Sequence, residues 1–179
     1  GVQEDIDVYF ATFAKSMAGI GAFLAGNKDV IQYLQYNMRS QMFAKSLPMA
    51  MVKGALKRLD MLRTMPELKE KLWANTNALQ TGLRAAGFDL GSTQTCITPV
   101  FLKGEIPEAM AMVNDLRENH GIFCSIVVYP VIPKGLIILR LIPTATHTQE
   151  DIDETITAFS AIREKLENGT YKKMASSMV

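Results

Sequence analysis

Apolar positions run almost without a break through Val8, Tyr9, Phe10, Ala11, Phe13 and Ala14, which predicts a short buried strand ending at Lys15. Ala22, Phe23, Leu24 and Ala25 predict a second strand, and residues 28–39 have a helical pattern. Pro48 opens a longer helix on which Met51, Val52, Ala55, Leu56, Leu59 and Leu62 recur at helical spacing. Thr64 and Glu67 have the spacing of a capping box around Pro66, so a new helix is expected to start there. Leu68, Leu72, Leu79 and Leu83 form its apolar stripe, and Gly87 is its stop. Residues 96–103 read as a strand, and residues 107–119 as a helix with Ala109, Met112, Val113 and Leu116 inward, ending near Gly121. Residues 122–128 and 136–142 are rich in β-branched residues and read as two more strands. Thr148 caps a last helix with Ile152, Ile156, Phe159 and Leu166 on one face, and the tail after Asn168 reads as loose.

From about residue 90 the order is therefore strand, helix, strand, strand, helix. A short Pro/Gly turn joins the two neighbouring strands, which predicts an antiparallel pair in an α+β arrangement with helices on one face. Composition narrows this little: 179 residues suit one domain or a domain with part of another, and 48% hydrophobic with 21% charged is ordinary for a globular chain. A net charge of +1 gives no general pull on nucleic acid, and the apolar runs are too short to span a membrane. Cys96 and Cys124 both fall in strand-like runs and read as reduced, buried thiols of a cytoplasmic protein. No Cys/His cluster has metal-ligand spacing, so no metal is expected. The eleven methionines read as core filling on helix faces.

Two basic residues stand out for chemistry. Lys15 sits between an apolar run and the glycines Gly19, Gly21 and Gly26. A lysine desolvated there would have a lowered amine pKa and would attack carbonyls, the chemistry of a Schiff base. The glycines lack the spacing of a dinucleotide loop and read as backbone freedom beside a bulky group. Arg140 interrupts Leu136-Ile137-Ile138-Leu139 and Leu141-Ile142, so its guanidinium needs an anionic partner, either a protein carboxylate or a ligand. His147 precedes the capping Thr148 and reads as structural, and His120 as a surface residue at a helix end.

Three segments carry a resemblance. Thr12-Phe13-Ala14-Lys15-Ser16, followed by Gly19, Gly21 and Phe23, resembles the cofactor-lysine segment of the α-oxoamine synthases, pyridoxal-phosphate (PLP) enzymes of aminotransferase fold type I. Arg39 through Phe43 to Ser46-Leu47-Pro48 resembles a second family segment. Residues 129–135 with Leu139-Arg140-Leu141 and Ala145-Thr146-His147-Thr148 resemble a third. The resemblance implies a C-terminal part of a longer enzyme. Residues 1–47 would be a remnant of the large PLP-binding domain, 48–89 connecting helices, and 90–179 the small C-terminal domain. It implies that Lys15 carries PLP and removes the substrate's Cα proton, that Thr12 binds the cofactor phosphate, and that Arg140 grips the amino-acid carboxylate. The family's cross-subunit Ser/Thr is replaced by Ala44, leaving Ser46 or Lys45 to serve, and a homodimer is implied. Residues 128–129 are Val and Tyr where some members carry an arginine. Among members, bacterial serine palmitoyltransferase is most similar, implying serine, a long acyl-CoA and sphingolipid synthesis. 2-Amino-3-ketobutyrate CoA ligase and 8-amino-7-oxononanoate synthase are the alternatives. The histidine and aspartate that members place around the PLP ring have no counterpart here, so the chain alone is expected to be inactive. The rival of another class is a non-catalytic dimerisation or interaction module.

Overall fold

The computed structural model describes Gly1–Ser176. The chain divides into two compact units, Gly1–Pro66 and Glu67–Val179.

The first unit begins with a 3-10 turn at Gln3–Asp5 and an antiparallel hairpin, β1 (Val8–Thr12) and β2 (Ala22–Gly26), whose register pairs Val8 with Gly26 and Thr12 with Ala22. Both strands were predicted, but β1 is not buried: Phe10 keeps 64% of its surface. A two-stranded ribbon has two faces, and no layer in this unit covers either completely. Helix α1 (Lys28–Asn37) starts at Asn27, whose side chain accepts from the Asp29 amide at 2.9 Å. A short α2 (Arg39–Met42) follows, and Pro48 caps α3 (Met49–Thr64). None of the described residues of this unit is fully buried.

The second unit holds the core. Helix α4 runs Pro66–Ala85. Its expected capping box does not form: Thr64 belongs to the last turn of α3 and its hydroxyl donates to the Asp60 carbonyl at 2.8 Å. The helix stops as predicted. Gly87 takes φ +81°, and the Phe88 amide returns to the Leu83 carbonyl at 3.0 Å. Then come β3 (Thr98–Lys103), α5 (Ile106–His120), β4 (Ser125–Val127), β5 (Leu136–Leu141), α6 (Gln149–Glu167) and α7 (Thr170–Ser176). The sheet order is β3-β5-β4, antiparallel throughout, with β5 central. Leu79 and Leu83 from α4, Met112 and Leu116 from α5, Val100, Ile137 and Leu139 from the sheet, and Phe159 and Ile162 from α6 close one hydrophobic core. Thr148 and Asp151 make a full capping box at the start of α6.

Two expectations change here. Cys96 lies in a loop, half-buried; only Cys124 is buried, and that burial pushes its thiol up to about 11. Up to Ser176 the tail is not loose, and residues 177–179 lie outside the described residues: α7 places Tyr171 in the core at 1% exposure, and its hydroxyl donates to Asp115 Oδ2 at 2.5 Å. Lys165 reaches the same oxygen at 2.7 Å, and Asn119 Nδ2 donates to Oδ1 at 2.6 Å. Burial alone raises the Asp115 pKa, but the bonds from Lys165, Tyr171 and Asn119 and the lysine charge outweigh it and hold the group at about 2. Burial, and then the neighbouring Asp115 carboxylate, push the Tyr171 phenol up.

Candidate functional site

Lys15 stands in the nine-residue turn between β1 and β2. The turn is fixed by its backbone. The Phe13 amide donates to the Gly21 carbonyl at 2.9 Å, the Gly19 amide to the Phe13 carbonyl at 2.8 Å, and the Ala18 amide to the Lys15 carbonyl at 2.9 Å. Ala18 takes φ +43° to close it. Gly21 takes φ +102°, and a Cβ there would stand 2.9 Å from the Leu47 methyls, so only glycine fits. The Phe13 and Phe23 rings pack 5.7 Å apart at its base. The turn therefore presents Lys15 on a shaped backbone.

The amine itself is exposed, which corrects the expectation of a desolvated lysine. The ribbon carries the lysine at its open end, where this unit supplies no covering layer. Among the described residues Lys15 has no ion-pair or hydrogen-bond partner for its side chain. Thr12 is the last residue of β1; its hydroxyl accepts from the Ala14 amide at 3.1 Å and donates to the Gly21 carbonyl at 3.3 Å. Ser46 lies exposed in the loop before α3, in the same unit. The residues present suit an aldehyde cofactor with a phosphate. They include a primary amine engaged with nothing else in its unit. Three residues earlier a hydroxyl makes only one long donor bond. Ser16 adds a second hydroxyl in the turn.

Arg140 is in the second unit, at the middle of the sheet. Alternation along β5 turns Leu139 and Leu141 into the core and Arg140 to the opposite face, where it is exposed. The buried guanidinium inferred from the apolar run is thus not found, because a strand with one covered face hides only every second side chain. No carboxylate lies within ion-pair distance of Arg140 among the described residues. Its Nε donates instead to Ser125 Oγ at 3.0 Å. Ser125 was missed from the sequence: it stands opposite Arg140 in the β4–β5 register, fifteen residues away along the chain. The strand exit is anchored from α4, since Asn75 Nδ2 donates to the carbonyls of Thr144 at 3.0 Å and His147 at 2.9 Å. His147 is structural as expected, its Nδ1 accepting from the Thr144 amide at 3.0 Å. His120, expected at the surface, has a buried Nε2 without a partner among the described residues.

No group of three His, Cys, Asp or Glu among the described residues could hold a metal. Among them, too, no helix is long and apolar enough to cross a membrane.

The sequence profile of the family "Aminotransferase class I and II" matches residues 1–159. A cysteate-C-fatty acyltransferase of Capnocytophaga ochracea is 71% identical over 178 residues, 99% of this chain and 42% of its own length. A serine palmitoyltransferase (SPT) of Sphingobacterium spiritivorum is 39% identical over 156 residues, 87% of this chain and 39% of its own. A solved SPT structure holding PLP as its internal aldimine superposes with a TM-score of 0.79 at 34% identity, over 90% of this chain and 40% of that one. This chain thus spans about two fifths of the length of the relatives it matches. The likeness covers both units, the lysine turn and the Arg140 strand included, and PLP is the cofactor of these relatives' family. The chain belongs to the class I and II aminotransferase family, and the relatives it resembles within it are α-oxoamine synthases.

Proposed function

We propose that this chain is the C-terminal part of an acyltransferase that joins the α-carbon of an amino acid to the acyl group of a fatty acyl-CoA. Coenzyme A and the amino acid's carboxyl group, as carbon dioxide, leave, and a 2-amino ketone results. The observation that carries this is the 71% identity to the Capnocytophaga cysteate-C-fatty acyltransferase across nearly the whole chain. We therefore take cysteate as the amino acid. Serine is the second reading, favoured by the 39% identity to a serine palmitoyltransferase and by the lysine segment itself.

Residue roles are those the resemblance implies, and the geometry supports them. Lys15 Nζ, carried on a fixed turn and engaged with nothing else in its unit, is the group that would hold the cofactor and take the Cα proton. When bound, PLP supplies an electron-withdrawing ring that stabilises negative charge at that carbon. The Thr12 hydroxyl gives up its 3.3 Å bond to Gly21 to donate to the phosphate. Ser46 adds a hydroxyl across a homodimer interface, where Ala44 cannot. Arg140 holds the α-carboxylate until it is lost, and its outward-facing, carboxylate-free position leaves it open to that partner. In the parent enzyme residues 1–47 belong to the large domain, 48–89 connect, and 90–179 form the small domain. We place the enzyme in the cytoplasm, where its two cysteines stay reduced.

The test is the full-length enzyme with palmitoyl-CoA and either cysteate or serine, products weighed by mass spectrometry. A sulfonated amino ketone formed at least tenfold faster than the serine product supports cysteate; the reverse ratio moves the assignment to serine, and product from neither overturns the acyltransferase. Lys15→Ala should abolish the long-wavelength absorbance of the bound cofactor. An unchanged spectrum would sink the lysine assignment.

A further inference from the structure

We infer that Ser125 is a positioning residue for Arg140: it occupies the Nε edge of the guanidinium and commits the arginine to grip a substrate carboxylate end-on, through its two terminal nitrogens. The inference rests on the assignment of Arg140 to the amino-acid carboxylate.

The two side chains are forced to meet. Cys124 is buried and Ile126 packs against the core, so strand alternation turns Ser125 between them to the outer face. Leu139 and Leu141, buried on β5, turn Arg140 to the same face. Register then sets Ser125 directly opposite Arg140, within the reach of a cross-strand pair. Arg140 Nε donates to Ser125 Oγ at 3.0 Å, and the serine hydroxyl points its own proton towards the Arg140 carbonyl, 3.5 Å away. The serine oxygen thus accepts from the guanidinium while its hydrogen is directed elsewhere.

A guanidinium offers a carboxylate two forks, Nε with one Nη, or the two Nη atoms. With Nε engaged, only the terminal fork remains. A long, freely rotating side chain loses rotamer freedom when it binds, and fixing Nε beforehand removes part of that loss. Alanine at 125 would leave the charge in place but free the side chain, and serine and threonine would act alike.

The experiment measures amino-acid affinity of the full-length holoenzyme by titrating the cofactor absorbance, together with PLP affinity and melting temperature. Ser125→Ala is expected to weaken amino-acid binding about tenfold, as loss of one hydrogen bond to a charged group implies, with PLP affinity and melting temperature unchanged. Ser125→Thr should restore it, and Ser125→Ala should add little in an Arg140→Lys background. If Arg140→Lys weakens binding and Ser125→Ala does not, the positioning role is overturned while the carboxylate assignment stands. If neither does, the carboxylate assignment falls and takes this inference with it. An equal loss of PLP affinity in the alanine and threonine variants marks a merely structural serine and also overturns it. Independently of turnover, the Arg140 Nε proton in this chain should exchange more slowly by nitrogen-15 NMR than in Ser125→Ala; equal exchange counts against the bond.

Discussion

Replacing Asp115 by asparagine should remove a proton-linked part of the second unit's stability. The carboxylate is only 7% exposed and receives three donors, from Lys165, Tyr171 and Asn119. Its pKa is about 2 in the fold against an ordinary 3.8. At ~1.4 kcal/mol per pKa unit, linkage gives this group about 2 kcal/mol of stability at neutral pH. A depressed folded pKa means that the contribution is full above the unfolded value and is lost as pH falls through the folded one, so the loss runs from about pH 4 down to about pH 1. Asparagine keeps the shape, loses the charge and turns an amide towards Lys165. The lysine side chain is 38% exposed, so it rehydrates instead of being stranded. The penalty therefore stays nearer the linkage value than the roughly 3–5 kcal/mol of a fully buried broken pair. Urea unfolding followed by Trp73, the single tryptophan and a residue of α4, reads this unit. The variant should lose about 2 kcal/mol at neutral pH, and the gap to the wild type should close towards about pH 2. A penalty of the same size at both pH values would refute the ionised, hydrogen-bonded carboxylate.

Tyr171→Phe removes one of the three donors and should cost about 1–3 kcal/mol in the same urea assay, because the buried oxygen loses a partner; no change would mean that α7 contributes nothing to the fold. Gly87→Ala should destabilise by about 1–2 kcal/mol, since φ is +81° there and the Arg163 guanidinium, bonded to the Ala86 carbonyl, occupies the space of a Cβ; a neutral result in thermal unfolding would contradict the left-handed stop. Without a buried residue in the first unit, amides of Val8–Gly26 should exchange with solvent much faster than those of β3, β5 and α5, and equal protection in a dilute sample would overturn the contrast. The chain alone should show no condensation of amino acid with acyl-CoA, and measurable turnover would refute that.

Most elements could be read from the sequence because each carried two independent signals. Residues 107–119 combined helical spacing with a glycine beyond the end, and α5 follows it to within a residue or so, with Gly121 in the left-handed region. Thr148 with the acid three residues on made the α6 capping box legible. The Thr64–Glu67 spacing was a false match, since one residue separates α3 from α4 and the threonine hydroxyl was already spent on its own helix. α7 was invisible for a different reason. Its seven residues are too few to be helical by propensity, Gly169 marks a break before it, and what recruits it is tertiary: Tyr171 packs into the core and bonds to Asp115. Ser125 was hidden likewise, because register between strands is a tertiary fact that local pattern does not carry.

The charged residues separate into two kinds, and that separation bears on the chemistry. Asp115 and Lys165 are tied within the core side of the second unit, and their charges are satisfied by the fold. Lys15 and Arg140 are the reverse. Each is set on well-defined backbone, the one by the three main-chain bonds of its turn and the other by pairing on both edges of β5. Neither has a carboxylate partner among the described residues. A buried charge without a partner would be costly. On an open face it costs little, and its position is still fixed by the strands that carry it. The burial that the sequence implied for both residues is not found, and both are exposed. An apolar run around a charged residue on a one-sided strand marks where that residue points, away from the core, and the ion pair expected to offset its burial is not required. That leaves an amine in one unit and a guanidinium in the other with their hydrogen-bonding capacity largely unspent among the described residues, which is the state the proposed roles of each require.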